Sequence, residues 1–451
     1  MSRLPSPIPN RRRRLSAAIL HVIVLTIAFL PVASIGASPV QDTSLKRDTL
    51  LNGLQVRSVR AAGDRVSVVC VVRAGAMFDP AGRSGLARMT AELLFAGAGS
   101  YTGERIRAEI EDAGASLTVD TTWDATWIEA SAPPEKLSVL LDVVSLALTA
   151  PKFAPEDVAA AKTTFAGRAA AELDDPVGAA ERGVARVLYG KHTYGRAIDG
   201  DPASITAIDV ADVKLFYQKF YGANTTVLSI AGPTDPVAAM ALVKPRFGRY
   251  LKRAIVPATF RPPAPVAATR VYVVDRPTPP GADVRIATLV PGRSAPTLAA
   301  TKALAPLTQG ALASKLAGAE GLTVRFDARA LQSPFVVGFH VQTAGLADAI
   351  AGVGATYEAM RATPQSTAGV RFDEAPGGSA ASVARSGAAS DFYVMQKLSP
   401  DPWNYQVSDA DIRSASQAAL SPALTIVIVG NSAEIAAALK DRYQVEPLVL
   451  P

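Results

Sequence analysis

Side chains able to do metal or nucleophilic chemistry are scarce in this chain. It holds three histidines, His21, His192 and His340, and one cysteine, Cys70. Two imidazoles grip one Zn²⁺ most simply from positions i and i+4 of a helix, where both project from one face. No two of these histidines stand in that relation. His192 sits in "GKHTYG" and reads as a loop-packing residue; His340, in "FVVGFHVQT", reads as a strand residue between apolar neighbours. Cys70 alternates with valines in "VSVVCVVRAG", the pattern of a buried, inert thiol. No serine occupies a G-x-S-x-G turn, and no phosphate-binding glycine loop is present. What does stand at i and i+4 is Arg88 and Glu92, in "GRSGLARMTAELLFAGAG" (82–99). Opposite charges at that spacing pair across one helical turn, for about 0.3–0.5 kcal/mol when exposed.

The frame for these residues is large. At roughly 150 residues per domain, 451 residues imply two or more domains. Hydrophobic residues make up 49% and charged residues 19%, a composition that buries a core. The net charge of +6 is not gathered into a basic stripe with interleaved aromatics, so nucleic acid is not an expected partner. Residues 1–37 differ from the rest. Arg11 to Arg14 precede "LSAAILHVIVLTIAFLPVASIGA", which carries no charge. That is the order of a secretory signal cut after Ala37, or of an uncleaved membrane anchor. With one cysteine there is no internal disulfide, and the expected location is the periplasm or cell envelope of a bacterium.

Helix and strand signals alternate after the leader. "LLNGLQVRSVRAAGDRVSVVCVVRAG" reads as a hairpin entering a longer strand, with turns at Asn52-Gly53 and Gly63-Asp64. Residues 84–98 read as a helix capped by Ser84, and 102–114 as a second between Thr102 and Gly114. "ASLTVDTTWDATWIEASAP" alternates as two half-buried strands. Helices are expected in "PEKLSVLLDVVSLALTA", "APEDVAAAKTTFAGRAAAELDDP" and "DVADVKLFYQKFYG", the last leading into the strand "TTVLSIAG". By contrast "DEAPGGSAASVARSGAAS" (373–390) is poor in bulky residues and reads as a loop or loosely packed segment.

The chain also repeats itself. The end of its first half, "DVADVKLFYQKFYGANTTVLSIAGPTDPVAAMALVKPRFG", matches its last residues, "DADIRSASQAALSPALTIVIVGNSAEIAAALKDRYQ". Each passes from an acidic helix to an apolar strand, a glycine and an Ala-rich helix. A Pro-rich stretch, "RPPAPVAATR" (261–270), separates the copies. The expected fold is α+β: two similar domains from a duplication, 45–248 and 271–451, each a mixed or antiparallel sheet flanked by helices, joined by a linker over 249–270.

Several of these pieces, in this order, resemble the insulinase-like (M16) metallopeptidases, which include mitochondrial processing peptidase. They are "LLNGLQVRSV", "VRAGAMFDPAGRSGLARM", "LLFAGAGSYTGERIRAEIEDAGASL", "LYGKHTYGRAIDGDPASITAIDVADVKLFYQKFYGANTTVLSIAG" and "VDRPTPPGADVRI". The resemblance runs from about residue 48 to 360, more weakly from 409 onward, and implies two M16-type domains. In active members the helix after "SGLA" carries the inverted zinc motif H-x-x-E-H. Here the matching positions hold Arg88, Ala91 and Glu92, where the family has its first His, its catalytic Glu and its second His. The downstream ligand position falls on Arg168 or Ala169, with Glu172 the nearest carboxylate. In the second half, the family's substrate-holding Arg and Tyr correspond to the region of Lys315, Val324 and Arg325; Val324 stands at the Tyr position, with Arg325 and Arg329 close by.

The resemblance therefore implies a non-catalytic M16 homologue with no metal or cofactor of its own, zinc belonging to active relatives or to a partner chain. It would serve as the partner of an active zinc peptidase or as a peptide-binding scaffold, in a heterodimer or a homodimer. Two alternatives stand beside this: one member of a heterodimeric zinc endopeptidase whose chemistry lies wholly in the partner, and a structural or assembly protein of the envelope.

Overall fold

Strand residues Val66–Val72, VSVVCVV, are buried along their whole length. A strand apolar on both faces must be covered on both faces, and the way this chain does so organises the molecule. The computed structural model describes residues 45–258, 260–276, 280–316, 318–363, 378–401 and 407–450. The expected leader, 1–37, lies outside them. Among the described residues no helix is long and apolar enough to cross a membrane.

The first half supplies strands β1 (Lys46–Thr49), β2 (Gln55–Arg60), β3 (Val66–Val72), β4 (Gly97–Ala98), β5 (Tyr101–Thr102), β6 (Ser116–Thr121), β7 (Thr126–Ala132) and β8 (Thr226–Gly232). Its helices are α1 (Leu86–Leu93), α2 (Gly103–Asp112), α3 (Leu137–Thr149), α4 (Pro155–Asp174), α5 (Pro176–Tyr189), α6 (Pro202–Ala207), α7 (Val210–Phe220) and α8 (Pro236–Phe247). The second half supplies β9 (Arg270–Asp275), β10 (Ala282–Val290), β11 (Ala319–Phe326), β12 (Ser333–Val341), β13 (Thr425–Gly430) and β14 (Val445–Pro447). With them come α9 (Leu298–Ala313), α10 (Leu346–Ala362), α11 (Ala380–Met395), α12 (Asp409–Ala419) and α13 (Ser432–Leu439).

Among the described residues two six-stranded sheets form, in the orders β1-β2-β8-β3-β7-β6 and β14-β9-β13-β10-β12-β11. Their inner pairings correspond. β2 with β8 and β9 with β13 are parallel, while β8-β3-β7-β6 and β13-β10-β12-β11 are antiparallel throughout. The fold is thus α+β, two like domains from a duplication. Among the described residues between Leu251 and Thr269 no helix or strand forms.

The second faces of the sheets are covered reciprocally. On β3, Val66, Val68, Cys70 and Val72 join the core beneath the first half's own helices, whereas Val69 and Val71 pack with Ala384, Ala388 and Phe392 of α11. On β13, Ile426 and Ile428 pack within the second half, whereas Val427 and Val429 join the first half's core, against which α5 lies. Each half lends one helix to the other half's sheet. Both crossing helices approach closely through glycine. A Cβ on Gly183 would stand 2.7 Å from Val427 Cγ1, and one on Gly387 2.2 Å from the Arg57 guanidinium carbon.

Three local expectations are corrected. Residues 380–390 of the expected loop lie in α11, because its small side chains fit a helix pressed onto a sheet; 373–377 lie outside the described residues. The Gly63-Asp64 turn does not close a hairpin, since β8 enters between β2 and β3. The first helix stops at Leu93, short of 98, as Gly97–Ala98 pairs with Tyr101–Thr102, and Ser84 does not cap it.

Candidate functional site

The cap of α1 comes from further back. Gly85, at φ 93°, turns the chain into the helix. Its N–H and that of Ala87 donate to the Asp79 carboxylate at 2.9 and 2.8 Å. Burial pushes the Asp79 carboxyl up to about 8, against the N–H bonds from Ala87 and Gly85 that favour its charged form. Leu86, Ala87, Met89, Thr90, Ala91 and Leu93 of this helix are buried, which leaves Arg88 and Glu92 on the open stripe, one turn apart.

Glu92 is held from two sides. Its Oε1 accepts from Arg88 Nε at 3.4 Å and from Arg168 Nη1 of α4 at 2.6 Å. This bond raises the Arg168 pKa further. Arg88 in turn pairs with Asp199 at 3.0 Å and with Asp120, on the edge strand β6, at 3.8 Å. Of the two candidates for the downstream position, Arg168 meets Glu92, while Ala169 is fully buried in the core. Glu172 faces Arg182 at 3.4 Å, and burial still raises its pKa despite that partner. Arg182 also donates to the Gly200 carbonyl at 3.2 and 3.3 Å.

A second wall comes from the other half. Glu181 of α5 pairs with Arg285 at 2.8 Å and with Arg325 of β11; Arg325 and Arg329 both reach Asp327, at 3.4 and 3.0 Å. Between the walls lies a cavity of about 200 Å³, lined by Arg88, Glu172, Arg182 and Asp199 on one side and by Arg325, Asp327 and Arg329 on the other. Bonds between the halves lie beside it: Tyr189 Oη donates to the Gln332 carbonyl at 2.9 Å. Asp124 accepts from Tyr194 Oη at 2.5 Å and from Ala330 N at 2.8 Å. Burial raises the Asp124 pKa.

Of Lys315, Val324 and Arg325 in the second half, Arg325 faces the cavity and the other two do not. Val324 is buried in that half's own core, and Lys315 is exposed beyond the end of α9. Arg329, nearby in sequence, reaches the cavity as well. His192 packs its ring against Tyr189, Tyr194 and Phe260, and its Nδ1 accepts from Tyr194 N at 3.1 Å. His340 lies 3.3 Å from Asp283 on the neighbouring strand. Cys70 is buried mid-strand, and burial pushes its thiol pKa up. The sequence reading missed Asp120, Glu181, Arg182, Asp199, Arg285 and Asp327. Asp120, Glu181, Arg182, Asp199 and Arg285 meet their partners through tertiary contacts that no local pattern marks, whereas Asp327 pairs with Arg325 and Arg329, two residues to either side, a spacing visible in the sequence.

The donor set does not fit a zinc ion. A guanidinium has no lone pair to give and is not deprotonated in proteins. Two of them flank Glu92 where ligands would have to stand, and the buried Ala91 methyl offers nothing. Arg88, Glu92, Arg168 and Asp199 instead pair their charges with one another.

Comparison with known proteins agrees with the architecture. Residues 56–201 match the family model described as Insulinase (Peptidase family M16), and residues 207–368 the one described as Peptidase M16 inactive domain. An uncharacterized zinc protease of Mycobacterium leprae is 27% identical over 208 residues, 46% of this chain and 47% of that protein. The chain spans about half the length of the curated relatives it matches. Among solved structures, a peptidase M16 inactive domain from Pseudomonas fluorescens superposes with a TM-score of 0.75 at 19% identity, over 86% of this chain and 98% of that one. The periplasmic protease PqqL from Escherichia coli gives 0.71 at 16% identity, over 91% of this chain and 51% of that one. At such identities the structural likeness speaks for the fold alone.

Proposed function

Because the chain belongs to the M16 (insulinase-like) peptidase family, we propose that it is a non-catalytic member of that family, exported to the bacterial envelope. It serves there as the partner subunit of an active zinc peptidase or as a peptide-binding scaffold. The observation that carries this reading is Glu92 held between Arg88 and Arg168. Two fixed cations at a would-be metal site repel a divalent ion, and Glu92 alone cannot complete a tetrahedral shell. The periplasmic setting of PqqL and the signal-like start of the sequence support export.

Metal analysis of the purified mature chain tests the reading, together with turnover of a quenched peptide in added zinc. The expected result is no bound zinc and no cleavage. Turnover abolished by a chelator would falsify it. Isolation of the chain from its native envelope separates the two roles: a partner subunit brings a zinc-bearing M16 chain with it in fixed ratio, whereas a scaffold comes alone or with peptide.

A further inference from the structure

Arg329 of the second half is 7% exposed, and its Nε and Nη1 have no hydrogen-bond partner. Only Nη2 is bonded, to Asp327 at 3.0 Å. A buried guanidinium with idle donors needs an explanation, and three aromatic rings of the first half provide it. The Arg329 guanidinium carbon lies 3.5 Å from the Trp123 ring centroid and 5.2 Å from those of both Tyr189 and Tyr194. The rings stand nearly at right angles: Tyr189 to Tyr194 at 89°, Trp123 to Tyr194 at 72°. They make the walls of a box, and their faces attract the cation that sits in it. Asp124 lies behind, its oxygens taken by Tyr194 Oη and Ala330 N, so it adds negative potential without bonding the guanidinium.

We propose that Trp123, Tyr189 and Tyr194 form a guanidinium-binding cage, which Arg329 fills in cis. Filled, it pins the second half onto the first beside the central cavity; vacated, it takes the guanidinium of an arginine-bearing peptide. Planarity favours guanidinium over ammonium, because a flat cation lies against a ring over its whole face. Nothing in this depends on the chain being non-catalytic or having a partner subunit.

Arg329→Ala empties the cage without touching its walls. The test follows thermal unfolding of this variant and of the wild type in millimolar ethylguanidinium, N-acetyl-arginine amide or N-acetyl-norleucine amide, with sodium chloride at matched ionic strength. The variant should melt several degrees below the wild type. Ethylguanidinium and the arginine amide should each recover a measurable part of that loss, the norleucine amide none, and the wild type should gain from no additive. Calorimetric titration should show one site for the arginine amide in the variant only. Arg329→Lys gives a second reading that does not need the alanine variant to fold: charge is kept and the planar stack is lost, so melting should fall. If Arg329→Lys melts with the wild type, or if a foldable Arg329→Ala responds to the norleucine amide as it does to the arginine amide, the cage is not a guanidinium site.

Discussion

Arg168 Nη1 stands 2.6 Å from Glu92 Oε1, joining α4 to α1. The bond is partly exposed, with side-chain exposures of 41% and 28%. Water screens such a pair, so Arg168→Ala should lower the unfolding free energy by less than about 1 kcal/mol. Urea titration measures this. A loss of several kcal/mol would mean that the cluster holds the fold together and does not merely occupy the site.

The same geometry predicts what would restore a metal. Arg88→His and Glu92→His place two imidazoles one turn apart on the open stripe of α1, and Arg168→Glu sets a carboxylate against them. The triple variant should bind zinc in a one-to-one ratio by metal analysis. Adding Ala91→Glu is expected to be costly, because Ala91 is fully buried and an enlarged side chain there overpacks the core by about 1–3 kcal/mol.

Two glycines separate helix propensity from close packing. Gly167 lies on the exposed face of α4 with nothing near a would-be Cβ, so Gly167→Ala should stabilise the protein by about 0.5–1 kcal/mol. Gly183→Ala gains the same propensity but drives a methyl to 2.7 Å from Val427 Cγ1, and should be net destabilising by about 1 kcal/mol. Opposite signs in parallel melts are the expected outcome.

Asp79 should make stability depend on pH. Its folded pKa is raised to about 8, from about 3.9 in the unfolded chain. Between these values the folded state keeps a proton that the unfolded state sheds, so this group's contribution is whole below pH 4 and is lost as pH rises through 8. Asp79→Asn removes the titrating proton and should flatten that slope, though its single amide oxygen replaces only one of the two carboxylate oxygens that accept from the Gly85 and Ala87 N–H groups. Asp79→Ala should cost about 0.5–2 kcal/mol through the lost cap. Denaturant midpoints from pH 4 to 9 distinguish these outcomes.

Phe392 is fully buried between α11 and the first half's sheet, 6.4 Å from Trp127. Phe392→Ala should destabilise by about 3–5 kcal/mol, the usual loss for an aromatic removed from a core. Calorimetry should show the whole chain melting earlier, since the residue belongs to one half and packs in the other.

Much of this was legible in the sequence. The runs VSVVCVV and TIVIVG announce strands buried on both faces. The repeat of helix, strand and glycine gave the duplication, and the spacing of Arg88 and Glu92 gave their pairing. What stayed hidden were α5 and α11. No sequence pattern marks α5 as a helix, and residues 373–390, which run into α11, read as a loop or loosely packed segment, although these two helices bind the halves together. Both are rich in Ala and Gly. Closeness to a sheet demands small side chains, and small side chains erase the bulky apolar periodicity by which a helix is recognised. The partners of Arg88 were hidden for another reason: Asp120 and Asp199 reach it only once the tertiary fold is in place.

The exchange of α5 and α11 has a topological consequence. A protease that nicked the chain between Leu251 and Thr269 would leave two polypeptides still interlocked, each with a helix lodged in the other. Prising them apart would strip Val69 and Val71 on one side, and Val427 and Val429 on the other, of the surface they bury against. Neither fragment is built to stay soluble by itself, so a gene split at that stretch would have to yield both products together.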